Sequence, residues 1–389
     1  MNPLRKRVPR STFGSWKPPA SRRDTLEIIR EDEEGRDPQL LIRRRDLMAA
    51  DPFAFYRGTA AVMASDLAGV PVTRLLAQIG GDAHVVNFGG YATPERRLVF
   101  DVNDFDETLH GPWEWDVARL CASLPLLASF RSFRSSIADD AVFKAVGAYR
   151  KAMRRYSLCS PLDIWYASVD VHGSLAKELE PPRTAARVHA GANLLQFTRS
   201  AFYQYHHSVL PHVRMLLDRY VPVALWEHPV GVGSLGLYAA IVELQTDSAD
   251  RLYLQIKEAR ASALERYLGP SPFASHGERV IAGQRAMQAA SDLFLGWTSY
   301  AGRDFYVRQL RDEKTTLAVE RITEKQFINY ARRCGSVLAR AHARSGSPQQ
   351  VAAYLGNRDV FDEAMVRFAR TYARVVERDY DAFAKQAHR

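Results

Sequence analysis

Between Ile79 and Asp116 the chain reads IGGDAHVVNFGGYATPERRLVFDVNDFDETLHGPWEWD. Asp82, His84, Asn87, Asp101, Asp104, Asp106, Glu107 and Asp116 stand there among glycines and short apolar runs. Ionised carboxylates beside VVNF and LVF cost free energy unless something compensates them. A divalent cation together with phosphate is the economical compensation. Mg²⁺ takes hard oxygen ligands and accepts only a few of them from protein.

A second stretch points to phosphate from another direction. Gly231-x-Gly233-Ser234-x-Gly236 is followed by a strand-like run from Leu237 to Leu244, a polar turn from Thr246 to Asp250, and a second strand from Arg251 to Glu258. A dinucleotide fold would need a strand before the glycines and a helix after them. A hairpin after them is the context of a loop that covers phosphates from a sheet. Glycine there lets backbone N–H groups approach an anion closely. In the second strand Leu252, Leu254 and Ile256 alternate with Tyr253, Gln255 and Lys257, so Lys257 lies on the face opposite the aliphatic residues. Glu265 and Glu278 are the candidate acids to orient it.

The spacing G-D-x-H-x-x-N around Asp82, His84 and Asn87, and the N-D-F-D around Asp104, resemble the catalytic and metal loops of the protein-kinase-like superfamily. The nearest branch is that of aminoglycoside phosphotransferases and choline kinases. Trp115-Asp116-Val117-Ala118 stands where that branch opens its next helix. Gly80 departs from the pattern, which usually has His there. The resemblance implies Asp82 as general base, Asn87 and Asp104 as Mg²⁺ ligands, and ATP as the second ligand. It also implies that Lys257, in L-Q-I-K, pairs nucleotide phosphates beneath the loop Gly231–Gly236. His84, Asp106, Arg57 and Asp116 are secondary candidates; Arg57 is read either as facing phosphate and the acidic loop or as a surface ion pair.

The elements that must position these residues follow from caps and periodicity. Residues 24–50 are charged and predict helix, with Leu40-Leu41-Ile42 docking on the body. Asp51-Pro52 predicts a capped helix over 53–67 that Gly69 ends. Helical periodicity continues over 115–154 and from Ala192 to Tyr220. His206, His207 and His212 in the latter do not share a face and read as structural. Helix is expected over 277–294, a strand and hinge over 304–310, and helices over 323–344 and 360–384.

Composition sets the wider bounds. The 389 residues are 47% hydrophobic and 25% charged, ordinary for a globular chain of two or three lobes. The apolar run Leu120 to Phe130 contains Pro125 and is too short to span a bilayer. No hydrophobic signal core follows the basic start, so the expectation is a cytoplasmic protein. Cys121, Cys159 and Cys334 form neither a zinc spacing nor a disulfide framework. Seven of the nine net positive charges belong to Arg5, Lys6, Arg7, Arg10, Lys17, Arg22 and Arg23. Residues 1–23 therefore read as a flexible, solvated basic tail; nucleic acid is not an expected partner except through this tail.

The order of the motifs is reversed relative to kinase-like proteins, where the Gly loop and lysine precede the catalytic loop. The expected architecture is an α+β, two-lobed, circularly permuted kinase-like fold with a mainly helical large lobe and an antiparallel small lobe. Its parts are the tail 1–23, a helical segment 24–78, a large lobe 79–220, a nucleotide-binding lobe 221–320, and large-lobe helices 321–389. Permutation places new termini at exposed connections. Helix 323–344, ending in Leu338-Ala-Arg-Ala-His342, then feeds the catalytic loop. Together with PFAFYRGTAAVMASDLAG, GQRAMQAASDLFLGW, FYVRQL and LARAHARSG, these motifs resemble the bacterial domain-of-unknown-function family 2252. The expected activity is phosphoryl transfer from Mg·ATP to a hydroxyl on a small-molecule acceptor. The alternatives are nucleotidyl transfer on the same fold, a nucleotide-binding pseudokinase, and a metal-dependent hydrolase using Asp82, His84, Asp101, Asp104 and Asp106.

Overall fold

Four short strands hold the acidic stretch: β1 (Leu76–Ile79), β2 (Phe88–Ala92), β3 (Leu98–Val102) and β4 (Leu109–Pro112). β1 pairs with β4 and β2 with β3, both antiparallel. Ile79 is in register with Leu109, and Phe88 with Val102. The loops 80–87 and 103–108 both run between these two pairs, from one register position to the next. The sequence separation between Asp82 and Asp104 is thereby closed, and the Asn103 amide donates to the Asn87 carbonyl at 2.9 Å. These coordinates are a computed structural model describing residues 3–180, 188–189, 194–227, 233, 235–310 and 314–387.

Long amphipathic helices surround these strands. Trp113–Phe130, Ser135–Tyr156, Glu324–Ser345 and Val360–Ala387 pack into one large core with Leu124, Val142, Tyr330, Leu338 and Phe368 fully buried. Glu324–Ser345 begins as expected, with a capping box between Thr323 and Gln326, and ends at Gly346. None of the described helices is long and apolar enough to cross a membrane.

The remaining strands are β5 (Leu179–Glu180), β6 (Val188–His189), β7 (Val221–Glu227), β8 (Ala239–Gln245), β9 (Arg251–Ala259), β10 (Gly296–Tyr300), β11 (Arg303–Gln309) and β12 (Thr316–Leu317). β12 pairs with β5; the other six form one antiparallel sheet in the order β10-β11-β9-β8-β7-β6. The protein is thus α+β with antiparallel sheets. One face of the large sheet, with Val242, Leu254, Ile256 and Phe305, forms a second core with Tyr205, Val209, Val213 and Leu217. Tyr205 comes from helix Leu194–Ser208, Val213 and Leu217 from helix Pro211–Leu217, and Val209 from the turn between them. Those helices pack on the sheet, not with the helical body to which the boundary at 220 assigns them. Their apolar stripe alone does not say which core it covers.

Other expectations are corrected. Residues 3–23 are packed, not flexible: Phe13 is buried against Phe361 and Phe368. Arg5 and Arg10 donate to the carbonyls of Tyr354 and Leu355 at the end of helix Pro348–Leu355. Cations at a helix C-terminus satisfy orphan acceptors and the helix dipole. Arg22 bridges Asp66 and Asp379, each at 2.7 Å. The helix expected over 53–67 is two, Pro52–Arg57 and Ala60–Ala68, broken at Gly58, where a Cβ would press on Met48. Residues 24–50 form Thr25–Glu33 and Pro38–Met48 around Gly35 (φ +70°). Arg44 and Met48, not Leu40–Ile42, are buried there, and Ile42 is exposed. The helix expected over 277–294 spans His276–Met287.

Candidate functional site

A cleft of about 740 Å³ lies among the acidic loops, the end of β9 and the N-terminal helices. Asp82, His84, Asn87, Asp104, Asp106 and Glu107 form one wall. Gly233, Leu237 and the run Glu258–Ser262 form another, joined to the first where the Ser262 hydroxyl donates to Glu107, and Asp32, Arg36, Arg44 and Arg57 also line the cleft.

The loop carrying Asp82 is held from behind. Asp116 accepts hydrogen bonds from the amides of Gly80 and Gly81 at 2.7 and 2.9 Å. His342 lies 3.1 Å from the same carboxylate and 2.9 Å from the Tyr149 hydroxyl. Asp116 is therefore a buried strut under the loop. Gly81 has φ +76°, and a Cβ on it would run into the Glu107 carbonyl, so only glycine fits this turn.

Asp82 receives the Arg119 Nε at 2.8 Å, and Arg119 lies 3.8 Å over the Tyr56 ring. Burial nevertheless outweighs Arg119 and holds the Asp82 carboxyl above its ordinary range. Asn87 donates its amide to the Asp82 carbonyl at 2.8 Å, which leaves its side-chain oxygen as the remaining hard donor. His84 lies 3.7 Å from Asp82, beyond a hydrogen bond. Burial, reinforced by Arg57 and Arg119, pushes its pKa well down, so it is neutral at pH 7.

Asp104 and Asp106 take different roles. Asp106 accepts from Lys257 Nζ at 2.8 Å and from the Tyr306 hydroxyl at 2.6 Å. Burial alone would depress the lysine, but Asp106, Tyr306 and Asp104 hold it above its ordinary value. Burial also acts on Asp106, yet Lys257 and Tyr306 keep its carboxyl low. Asp104 makes no ion pair among the described residues, and burial together with Asp106 pushes its carboxyl up. An unpaired, partly buried carboxylate beside an amide oxygen suits a hard cation that keeps waters and phosphate in its remaining positions. Among the described residues no set of three or more His, Cys, Asp and Glu is arranged for a metal. Asn87 and Asp104 both line the cleft, and their side-chain oxygens are donors of the kind a hard divalent cation takes.

Neither Glu265 nor Glu278 reaches Lys257. Glu265 accepts from the amides of Ser262 and Ser271 and faces Arg279. Lys257 pairs in register with Tyr306 on β11, which aims it at loop 103–108. Of the glycines, Gly231, with Ser234, lies outside the described residues. Gly236 has φ +94°, and its carbonyl accepts from the Asp37 amide at 2.8 Å. Arg36 donates to the carbonyls of Gly233 and Leu235 at 2.8 and 3.0 Å.

A family model described as "uncharacterized protein conserved in bacteria" (DUF2252) matches residues 36–192 and 178–386. The chain belongs to this family. No curated protein and no solved structure matches it. The DUF2252 match takes in both walls of the cleft and begins at Arg36.

Sequence reasoning missed several residues that touch the acidic loops or the groups bonded to them. Arg119 sits on the apolar face of Trp113–Phe130, and a lone arginine among Val117, Leu120 and Cys121 was the available signal. Arg308 lies over the Tyr306 ring, and Lys314 Nζ reaches the Asn103 carbonyl. Burial and Arg308 push the Lys314 amine down to about 7. No spacing rule marks either residue.

Proposed function

We propose that this protein is a circularly permuted kinase-like phosphotransferase, moving a phosphoryl group from ATP to a hydroxyl of a small molecule. The observation that carries the reading is the ion pair of Lys257 with Asp106, two residues from Asp104, where Asp106 lines a cleft that also holds Asp82. Chain segments about 150 residues apart meet here: Asp82, Asn87 and Asp104 line one space, and Lys257 is bonded to Asp106, which lines it too. Lys257 and Arg308 near Asp104 supply positive charge suited to polyphosphate.

Each residue then has a task. Asp82, held by Arg119 and raised by burial, accepts or orients the proton of the acceptor hydroxyl. Asp106 and Tyr306 fix the Lys257 amine where nucleotide phosphate is expected. Magnesium, held by Asn87 and Asp104, would neutralise phosphate charge. Asp116 keeps the loop rigid while the proton moves. The helix Glu324–Ser345, packed beside β1 and ending next to Asp116 through His342, plays the part of the helix that feeds a catalytic loop.

The test is a thermal-shift screen of nucleotides with Mg²⁺, followed by acceptor screening with product mass spectrometry. A nucleotide that binds the folded state raises the melting temperature by mass action. The added product mass distinguishes phosphoryl from nucleotidyl transfer. If no nucleotide moves the melting temperature, the reading fails.

A further inference from the structure

Arg57 lines the cleft with a charge that the proposed reading leaves unused. It ends the helix Pro52–Arg57, and Gly58 turns the chain away immediately after it. Its Nε is buried without a hydrogen-bond partner among the described residues, and it makes no ion pair with any of them. Burial pushes its pKa down, while Asp82, Asp51 and Asp104 oppose that effect. The half-buried guanidinium lies over the Phe53 ring at 5.9 Å, and a cation so placed with a buried, unbonded Nε calls for an anion.

The anion is not Asp82, whose ion-pair partner within 4 Å is Arg119 at 2.8 Å and not Arg57. Nor is it Asp106, which Lys257 and Tyr306 hold. Arg57 instead senses Asp82, Asp104 and His84 together, and its carbonyl lies 3.9 Å from where a Cβ on Gly233 would stand. It lines the same cleft as the proposed base Asp82, the proposed metal carboxylate Asp104, and Gly233. In a transfer reaction the space between those three holds the group in flight.

Resting on the kinase-like reading, we infer that Arg57 is a further catalytic residue, whose guanidinium grips the terminal phosphoryl group of the nucleotide. In that step the acceptor oxygen forms a bond to the terminal phosphorus. The bond from phosphorus to the bridging oxygen breaks, and ADP leaves with its electron pair. Asp82 takes the hydroxyl proton. Arg57 forms no covalent bond; it neutralises charge on the non-bridging oxygens with a planar fork of donors. The group that completes the phosphate site comes from the N-terminal helices, outside both the glycine loop and the acidic loop.

The experiment needs no acceptor. Calorimetric titrations with Mg²⁺ compare ADP with the β,γ-imido analogue of ATP on the full chain. Wild type, Arg57→Lys and Arg57→Gln are used. The inference expects Arg57→Gln to weaken the analogue by about tenfold or more, and Arg57→Lys to weaken it less. ADP, lacking the terminal group, should change by less than about twofold. Equal weakening of both ligands, or no change in either, overturns the role of Arg57 and leaves the kinase-like reading standing. Wild type that binds neither ligand overturns the kinase-like reading, and the role of Arg57 with it.

Discussion

Lys257 Nζ lies 2.8 Å from Asp106 Oδ2, joining the middle of the large sheet to the acidic loop. The lysine side chain is 6% exposed and the aspartate 28%. Tyr306, directly opposite Lys257 in the β9–β11 register, donates to the other oxygen of the same carboxylate. One carboxylate therefore docks two neighbouring strands onto loop 103–108. Removing one member of such a pair leaves a poorly compensated charge behind. Lys257→Ala should cost about 3 kcal/mol of stability in urea unfolding. Asp106→Asn in the same background should cost less than it does alone, with a coupling of about 1–3 kcal/mol. Additive costs would mean that the two do not act as a pair.

Asp82 and Asp104 should separate by phenotype. Asp82→Asn removes the proposed base but neither proposed metal ligand. Mg·nucleotide should still raise its melting temperature as in wild type, with turnover lower by about 10²–10⁴. Asp104→Asn should lose the Mg-dependent part of that rise. Without ligand it should be no less stable than wild type, because burial and Asp106 already oppose ionisation of Asp104. An Asp104→Asn protein that responds fully to Mg·nucleotide would remove this residue from the metal site.

Asp82, Asn87 and Asp104 were legible in the sequence because their spacing is local: each lies on a loop between short strands whose register brings the loops together. Lys257 was legible as a strand-end cation through alternation, but its partner was not. A pairing between residues 106 and 257 depends on how a sheet docks on a loop, and local pattern carries no record of docking. Likewise Arg5, Arg10 and Arg22 read as a solvated basic run, because nothing nearby in the sequence neutralises them. Their partners are the end of helix Pro348–Leu355, Asp66 and Asp379. Charge counted along the chain misses charge balanced across the fold.

The packing of residues 3–23 gives a direct test. Arg5, Arg7, Arg10, Arg22 and Arg23 are all engaged by carbonyls or carboxylates, and Phe13 and Trp16 lie on Phe368. Burying Phe13 alone is worth about 2 kcal/mol. Deletion of residues 1–23 should lower the melting temperature clearly, and trypsin under native conditions should leave the segment attached. Rapid loss of the segment with an unchanged melting temperature would contradict the packing.

Arg340 is the buried cation that joins three elements. Its Nη2 donates to both oxygens of Asp101 at 2.6 and 2.7 Å and to the Met287 carbonyl at 2.8 Å. Asp101 also accepts from the Ala289 amide. Helix Glu324–Ser345, β3 and the end of helix His276–Met287 thus share one ion pair. Arg340→Ala should cost about 4 kcal/mol by urea unfolding. A loss below about 1 kcal/mol would show that solvent or neighbours replace the guanidinium.

Glu114 predicts a pH dependence. It is 2% exposed; its Oε1 accepts from the Thr73 amide and hydroxyl, and its Oε2 has no partner among the described residues. Burial pushes its carboxyl up to about 7, against the hydrogen bonds from Thr73. In the unfolded chain the group returns to its ordinary value of about 4.3. Between those values the unfolded state has released the proton while the folded state still holds it. Stability therefore falls as pH rises from about 4.5 to about 7, and the loss is complete above that, at about 3 kcal/mol from this group. Glu107, also raised to about 7 by burial, adds to the same slope. Glu114→Gln cannot ionise and should lose only its own share. Its stability relative to wild type should rise by about 3 kcal/mol between pH 5 and pH 8, read from urea midpoints at each pH. Parallel curves for the two proteins would mean that Glu114 ionises at its ordinary pKa despite its burial.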